Sequence, residues 1–216
     1  MDAAPGTTQR TQRRRILIVL CLNAALIVGL VVAGFAANSV SVLAAAGDTV
    51  ADCFGLIVGL IAIGMRDRDP EDPRAQRPIA VAALVNATLL LVVVVTIVLE
   101  AVSRLLAGSP PVEGLPIVIV SVITMLVMLA GAVVLGRSAA SEDLHMRSVL
   151  LDSLADAAAA AAIAVAGVVI LLTGGLYWLD PVLALVVSVV VAVAALRLLV
   201  KAIASLRGED VDFDDD

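Results

Sequence analysis

Aromatic side chains are nearly missing from this chain: one Trp, one Tyr and three Phe occur among 216 residues. The apolar bulk is therefore Ala, Val, Leu and Ile. Cysteine is scarce too. Cys21 and Cys53 both fall in apolar runs, where they read as small buried hydrophobes. Two such residues imply no disulfide framework and no Cys-x-x-Cys site. Charged residues make up only 16% of the chain. The basic ones gather into no surface that would hold nucleic acid.

What the chain does have is hydrophobicity, at 62% of residues with a mean hydropathy of +1.11. That is far above a soluble domain. The acidic pI of about 4.7 misleads. Six of the twenty acids, Glu209, Asp210, Asp212, Asp214, Asp215 and Asp216, crowd into the last eight residues. Without them, fourteen acids face fourteen bases, so the body of the chain is balanced.

Six hydrophobic runs follow one another: Ile16 to Ala36, Ser41 to Met65, Ile79 to Leu99, Leu115 to Leu135, Ser148 to Thr173 and Pro181 to Ile203. Each approximates the ~20 residues that a hydrocarbon core requires. With no water there to satisfy the backbone, such runs must be helices. The expected fold is an all-α integral membrane protein with six transmembrane helices. The six-helix transmembrane body, residues 16–206, sits between a basic cytoplasmic N-terminus, 1–15, and an acidic cytoplasmic tail, 207–216. Arg13, Arg14 and Arg15 before an apolar run also resemble the start of a signal peptide. This run is too long for one, and five more spans follow it.

Lys and Arg set the orientation. Arg10, Arg13, Arg14 and Arg15 precede the first span; Arg66, Arg68, Arg74 and Arg77 separate the second from the third. Arg137 and Arg147 separate the fourth from the fifth, and Arg197, Lys201 and Arg207 close the chain. All of these fall on one side, and only Arg104 falls on the other. The positive-inside rule then places both termini in the cytoplasm of a multi-pass cell-membrane protein. The outer loops are short turns, with no room for an extracellular domain or a catalytic loop.

Four acids interrupt this apolar body. Asp48-Thr-Val-Ala-Asp52 lies in the second span and Asp152-Ser-Leu-Ala-Asp156 in the fifth. An ionised Asp at mid-membrane costs at least a few kcal/mol, so four of them need a reason. Each pair is spaced i, i+4 and so shares one helical face. Stepping along that face of the second span gives Ser41, Ala45, Asp48, Asp52, Gly55 and Gly59. The fifth span gives His145, Ser148, Asp152, Asp156, Ala159 or Ala160, Ile163 and Gly167. Small residues let backbones approach closely. Two such stripes facing each other would gather four carboxylates around a cation.

At these residues the chain resembles the cation diffusion facilitators, the divalent-metal/proton antiporters. "NSVSVLAAAGDTVADCFGLIVGLIAI" is similar to that family's second span, with its His/Asp-x-x-x-Asp metal motif. "RPIAVAALVNATLLLVVVVTIVLEAVSRLL" resembles the third, with its Ala-Asn start and Glu-Ala-x-x-Arg-Leu end. "SVLLDSLADAAAAAAIAVAGVVILLTGGLYWLDPVLALVVSVVVAVAALRLL" resembles the fifth and sixth, with the second metal motif and the Asp-Pro that opens the last span. The resemblance implies that Asp48, Asp52, Asp152 and Asp156 are the metal ligands, that the chain is a transporter rather than an enzyme, and that it forms a homodimer. Zinc members of the family usually carry His at one or two of those positions, and here all four are Asp. Ala45 stands where an Asp often precedes the first ligand. The family's cytoplasmic ferredoxin-like domain finds no counterpart in residues 207–216, so the expected dimer contact lies among membrane helices.

Other polar residues read more plainly. Asp180 precedes Pro181 at a helix start, where an acid caps free N–H groups and meets the positive dipole end. Glu100 and Arg104 are spaced i, i+4 at an outer helix end and are expected to pair. His145, the only histidine, sits at the cytoplasmic mouth, where it reads as a solvated loop residue or a relay toward Asp152. Asn23 and Asn86 are intramembrane amides suited to interhelical bonds or to supporting a site. The tail reads as a solvated, disordered chain, or else as a gatherer of cations at the entrance.

Charge dictates the expected mechanism. Clustered carboxylates cannot all stay ionised without a counter-charge, so the empty site holds protons. An arriving divalent cation displaces them, and returning protons expel it, which is antiport. Alternating access then requires the bundle to rock. No resident cofactor is expected. An all-oxygen site leans toward Mn²⁺, with Fe²⁺ or Co²⁺ close behind, while Zn²⁺ also accepts carboxylates. Two other classes are weighed against this one. A non-transporting membrane partner or scaffold would not need the intact quartet. An intramembrane aspartyl protease would need Tyr-Asp and Gly-x-Gly-Asp settings that the chain does not contain.

Overall fold

The computed structural model describes the backbone of residues 5–66, 76–139 and 144–207, and side-chain surroundings for 20–54, 57, 80–132 and 154–207. Its elements are six helices: α1 Pro5–Ala37, α2 Val40–Arg66, α3 Gln76–Ala107, α4 Gly114–Ala139, α5 Leu144–Thr173 and α6 Leu179–Leu206. Each coincides with one of the six hydrophobic runs, and most extend past it. Hydropathy marks only the stretch that must lie in hydrocarbon, whereas a helix continues until its backbone is capped. With 32 residues, α3 is about 48 Å long, against a hydrocarbon core of about 30 Å. Likewise α1 runs back through the basic residues to Pro5, where the described backbone begins.

The surface has the character that lipid demands. Val28, Leu106, Leu172, Val189 and Val200 are each more than 60% exposed. In water, such a continuous apolar exterior would associate. Five helices carry apolar stretches long enough to cross a membrane among their described residues, with mean hydropathy of 2.3 to 2.8. The protein is an all-α, multi-pass membrane protein. Inside it, small and polar side chains collect: Ser39, Ser41, Thr49, Asn86, Ser121, Thr124 and Ser188 are all buried. Thr49 and Thr124 dispose of their hydroxyls by donating to carbonyls one turn back, Ala45 and Val120.

Three close pairs organise the bundle: α4 against α5, α3 against α6, and α1 against α2. Further contacts tie α2 to α3 and α6, and α1 to α4. The α4–α5 contact is the tightest. A Cβ on Gly114 would sit 2.6 Å from the Gly167 carbonyl oxygen and 2.8 Å from the Leu171 nitrogen. One on Gly167 would meet Ile117 at 2.9 Å. Helices in lipid gain little from apolar burial, so such backbone approach is what joins them. By contrast α2 and α5 barely touch, and a cavity separates them.

The outer ends are locked by polar contacts. Asn38 adopts a left-handed backbone, φ 54°, in the α1–α2 turn, a conformation Asn tolerates. Its main-chain and side-chain oxygens both accept from the Arg104 guanidinium on α3, at 2.5 and 2.8 Å. Arg104 also pairs with Glu100 at 2.8 Å, as the i, i+4 spacing indicates. Beside it, Ser39 N-caps α2: its Oγ accepts the Val42 N–H at 3.2 Å.

Asp180 requires a correction. Its carboxylate does not serve its own helix. Oδ2 accepts the Val40 N–H at 2.7 Å, and Oδ1 accepts the Ser41 N–H at 3.2 Å and both serine hydroxyls at 2.5 Å. The carboxylate therefore caps α2, about 140 residues away in sequence. The reason lies in the turn before α6. There the N–H groups of Leu179, Asp180 and Val182 already donate to Leu176, Tyr177 and Trp178 carbonyls. That frees the carboxylate for the four donors on the neighbouring helix.

Candidate metal-transport site

A cavity of about 300 Å³ lies between α2, α3, α5 and α6. Asp48, Ala51 and Asp52 line it from α2; Asn86 and Leu90 from α3; Ala155, Asp156, Ala159, Ala162 and Ile163 from α5. The α6 wall is wholly apolar, running from Leu183 through Val187 and Val191 to Leu198. The i, i+4 spacing turns both α2 acids to the same side. Small neighbours, Ala51, Ala155 and Ala159, leave the open volume around the carboxylates. Asp48, Asp52 and Asp156 are each half-buried.

The structure thus brings three of the four expected ligands to one cavity. Asp152 stands one turn before Asp156 on α5, and its side chain lies outside the described residues. So do the side chains of His145, Gly55 and Gly59, and the whole of residues 208–216. Among the described residues, no three carboxylate, imidazole or thiol groups converge closely enough to enclose an ion. The three carboxylates line one cavity. The stripe expected on α5 also divides: Asp156, Ala159 and Ile163 turn to the cavity, whereas Gly167 packs on α4.

Sequence reasoning missed the α6 wall, because no polar residue marks it. It also read Asn86 chiefly as an interhelical hydrogen-bonding group. Asn86 lines the same cavity as the acids and is 3% exposed. The signal was its place on the third span beside small residues, since Ala83 and Ala87 are both buried.

Residues 16–207 match the model of the cation efflux transmembrane domain. The chain belongs to the cation efflux, or cation diffusion facilitator, family. It is 31% identical over 198 residues to zinc transporter ZitB of Yersinia pestis, covering 89% of this chain and 62% of that protein. With ZitB of Escherichia coli (strain K12) it shares 30% identity over 207 residues, 93% of this chain and 65% of that one. The cadmium, cobalt and zinc/H(+)-K(+) antiporter of Bacillus subtilis (strain 168) is 24% identical over 164 residues, covering 74% and 52%. The chain spans less than two thirds of the length of each of these cation efflux proteins.

Proposed function

We propose that this chain exports a divalent transition-metal cation in exchange for protons, with Asp48, Asp52, Asp152 and Asp156 as the ligands. One observation carries the reading: acids from helices a hundred residues apart line a single cavity in an otherwise apolar bundle. Cation efflux relatives, a zinc transporter and a cadmium, cobalt and zinc/H(+)-K(+) antiporter, support a divalent cargo and its exchange for H⁺. Carboxylates hold protons where no metal neutralises them and surrender them when metal binds. The same oxygens therefore carry either cargo, never both at full occupancy. That exclusivity couples the two fluxes.

Ligand chemistry favours Mn²⁺ or Fe²⁺ at a site without nitrogen or sulfur donors, with Zn²⁺ as the competing cargo. Metal-dependent proton flux in proteoliposomes, measured across Mn, Fe, Co, Zn and Cd, tests the reading. Flux with at least one of these ions is the expected result, and none with any of them would leave a non-transporting membrane partner as the better description.

The working unit is proposed to be a homodimer joined through membrane helices. Truncation after Arg207 should leave it intact, because six crowded acids repel rather than join. A truncated protein that becomes monomeric in bilayer crosslinking would assign the contact to the tail instead.

A further inference from the structure

Among the described residues that line the cavity, one side chain is polar without being a carboxylate. Asn86 comes from α3, a helix that supplies no acid to the cavity wall. It is 3% exposed, and it lines the cavity together with Asp48, Asp52 and Asp156. Its amide is not sealed in the packing, since among the described residues only Ser188 Oγ is a fully enclosed side-chain polar atom without a partner, and the surface it keeps lies in the cavity. Leu90, one turn on, lines the same cavity with an apolar side chain, and Ala83 and Ala87 have no polar atoms. A group that pairs with the Asn86 amide is therefore met in the cavity.

We propose that Asn86 is a specificity-determining ligand: its amide oxygen joins the carboxylates on a bound divalent cation. The proposal rests on the transport reading and adds a third helix to the site. An amide carbonyl is a hard, neutral oxygen donor of the kind that oxygen-preferring cations accept beside carboxylates. Because it is neutral, it adds a ligand without adding charge. Zn²⁺ is satisfied by four tetrahedral ligands and gains little from a further oxygen. Mn²⁺, which suits octahedral oxygen sites, gains more. Asn86 accordingly sets the ratio in which the cavity takes the two ions.

The test compares Asn86→Leu, close in shape but without the oxygen, with Asn86→Asp, which keeps one at the same reach. Mn²⁺ and Zn²⁺ uptake by the full chain in proteoliposomes is measured alongside Mn²⁺ and Zn²⁺ binding by calorimetry in detergent. Asn86→Leu is expected to weaken Mn²⁺ binding and raise its KM about tenfold or more, the scale seen when a metal site loses a supporting group. Its Zn²⁺ parameters should change much less, and Asn86→Asp should retain Mn²⁺ binding. An Asn86→Leu protein with wild-type Mn²⁺ affinity and an unchanged Mn:Zn ratio would overturn the proposal. So would an equal loss for both ions that Asn86→Asp fails to restore, since that marks a packing role. If Asn86→Leu does not yield folded protein, Asn86→Ala takes its place with the same two outcomes. Wild-type protein that binds metal yet moves none would count against the transport reading alone, because the calorimetric comparison still decides the role of Asn86.

Discussion

The carboxylate of Asp180 on α6 accepts the backbone N–H of Val40 on α2 at 2.7 Å. With the Ser41 N–H and two serine hydroxyls, it gives the start of α2 everything that a buried helix end lacks. The N-terminus of α2 also directs its positive end at this one charge. Asp180→Ala should therefore cost roughly 2–4 kcal/mol, combining a lost cap with orphaned buried donors. Ser41→Ala, which removes one donor and leaves the acid with three, should cost less, about 1 kcal/mol. Thermal unfolding of the purified protein in detergent checks both values and their order.

The acids at the cavity should behave in the opposite way. Asp52→Ala and Asp156→Ala are expected to abolish metal-dependent proton flux while leaving folding intact. Each mutation removes a carboxylate that is costly to hold in a membrane interior, so stability should stay level or rise. Flux assays and melting curves on the same preparations make the comparison. Normal flux in either variant would remove that residue from the site.

Selectivity should respond to one nitrogen. Asp48→His or Asp152→His places an imidazole among carboxylates and should move preference toward Zn²⁺. Competitive uptake of Mn²⁺ against Zn²⁺ reads the change directly. A wild type that already strongly prefers zinc, together with a histidine variant that alters nothing, would show that ligand hardness does not set the choice.

Glycine volume is a further control point. Gly114→Ala introduces a methyl group that meets the Gly167 carbonyl and the Leu171 backbone, neither of which can swing aside as a side chain would. The expected result is a loss of at least 1–3 kcal/mol, the usual cost of overpacking. Gly131→Ala on the same helix meets nothing within 4 Å and should be close to neutral. Unfolding of the two variants side by side isolates the contact from helix propensity.

How far the sequence discloses this molecule depends on the range of the interaction. The six helices are legible because each is a local property of some twenty apolar residues. Asp48 with Asp52 is legible because i, i+4 spacing is local too, and so is the Glu100–Arg104 pair. Asp180 shows the limit. Its residue type announced a cap, but the helix it caps begins at Val40, and no local pattern links the two. Arg104 reaching Asn38 is hidden for the same reason. The α6 wall of the cavity consists of Val, Leu and Ala that look like any lipid-facing surface. Which of them turn inward is decided by the packing of α6 on α3 and α2, a relation between helices rather than within one.

Anchored at its outer end, α2 has a fulcrum. The Ser39–Asp180 and Asn38–Arg104 contacts fix that end to α6 and α3, so a tilt of α2 pivots near Val40. At 1.5 Å per residue, Asp48 lies about 12 Å down the lever arm and Asp52 about 18 Å. A tilt of about 10° would carry them roughly 2 Å and 3 Å respectively. The two acids share a face and a chemistry, but they do not share a stroke. The deeper carboxylate travels half as far again, so in the proposed transport cycle such a swing would part Asp52 from an ion before Asp48.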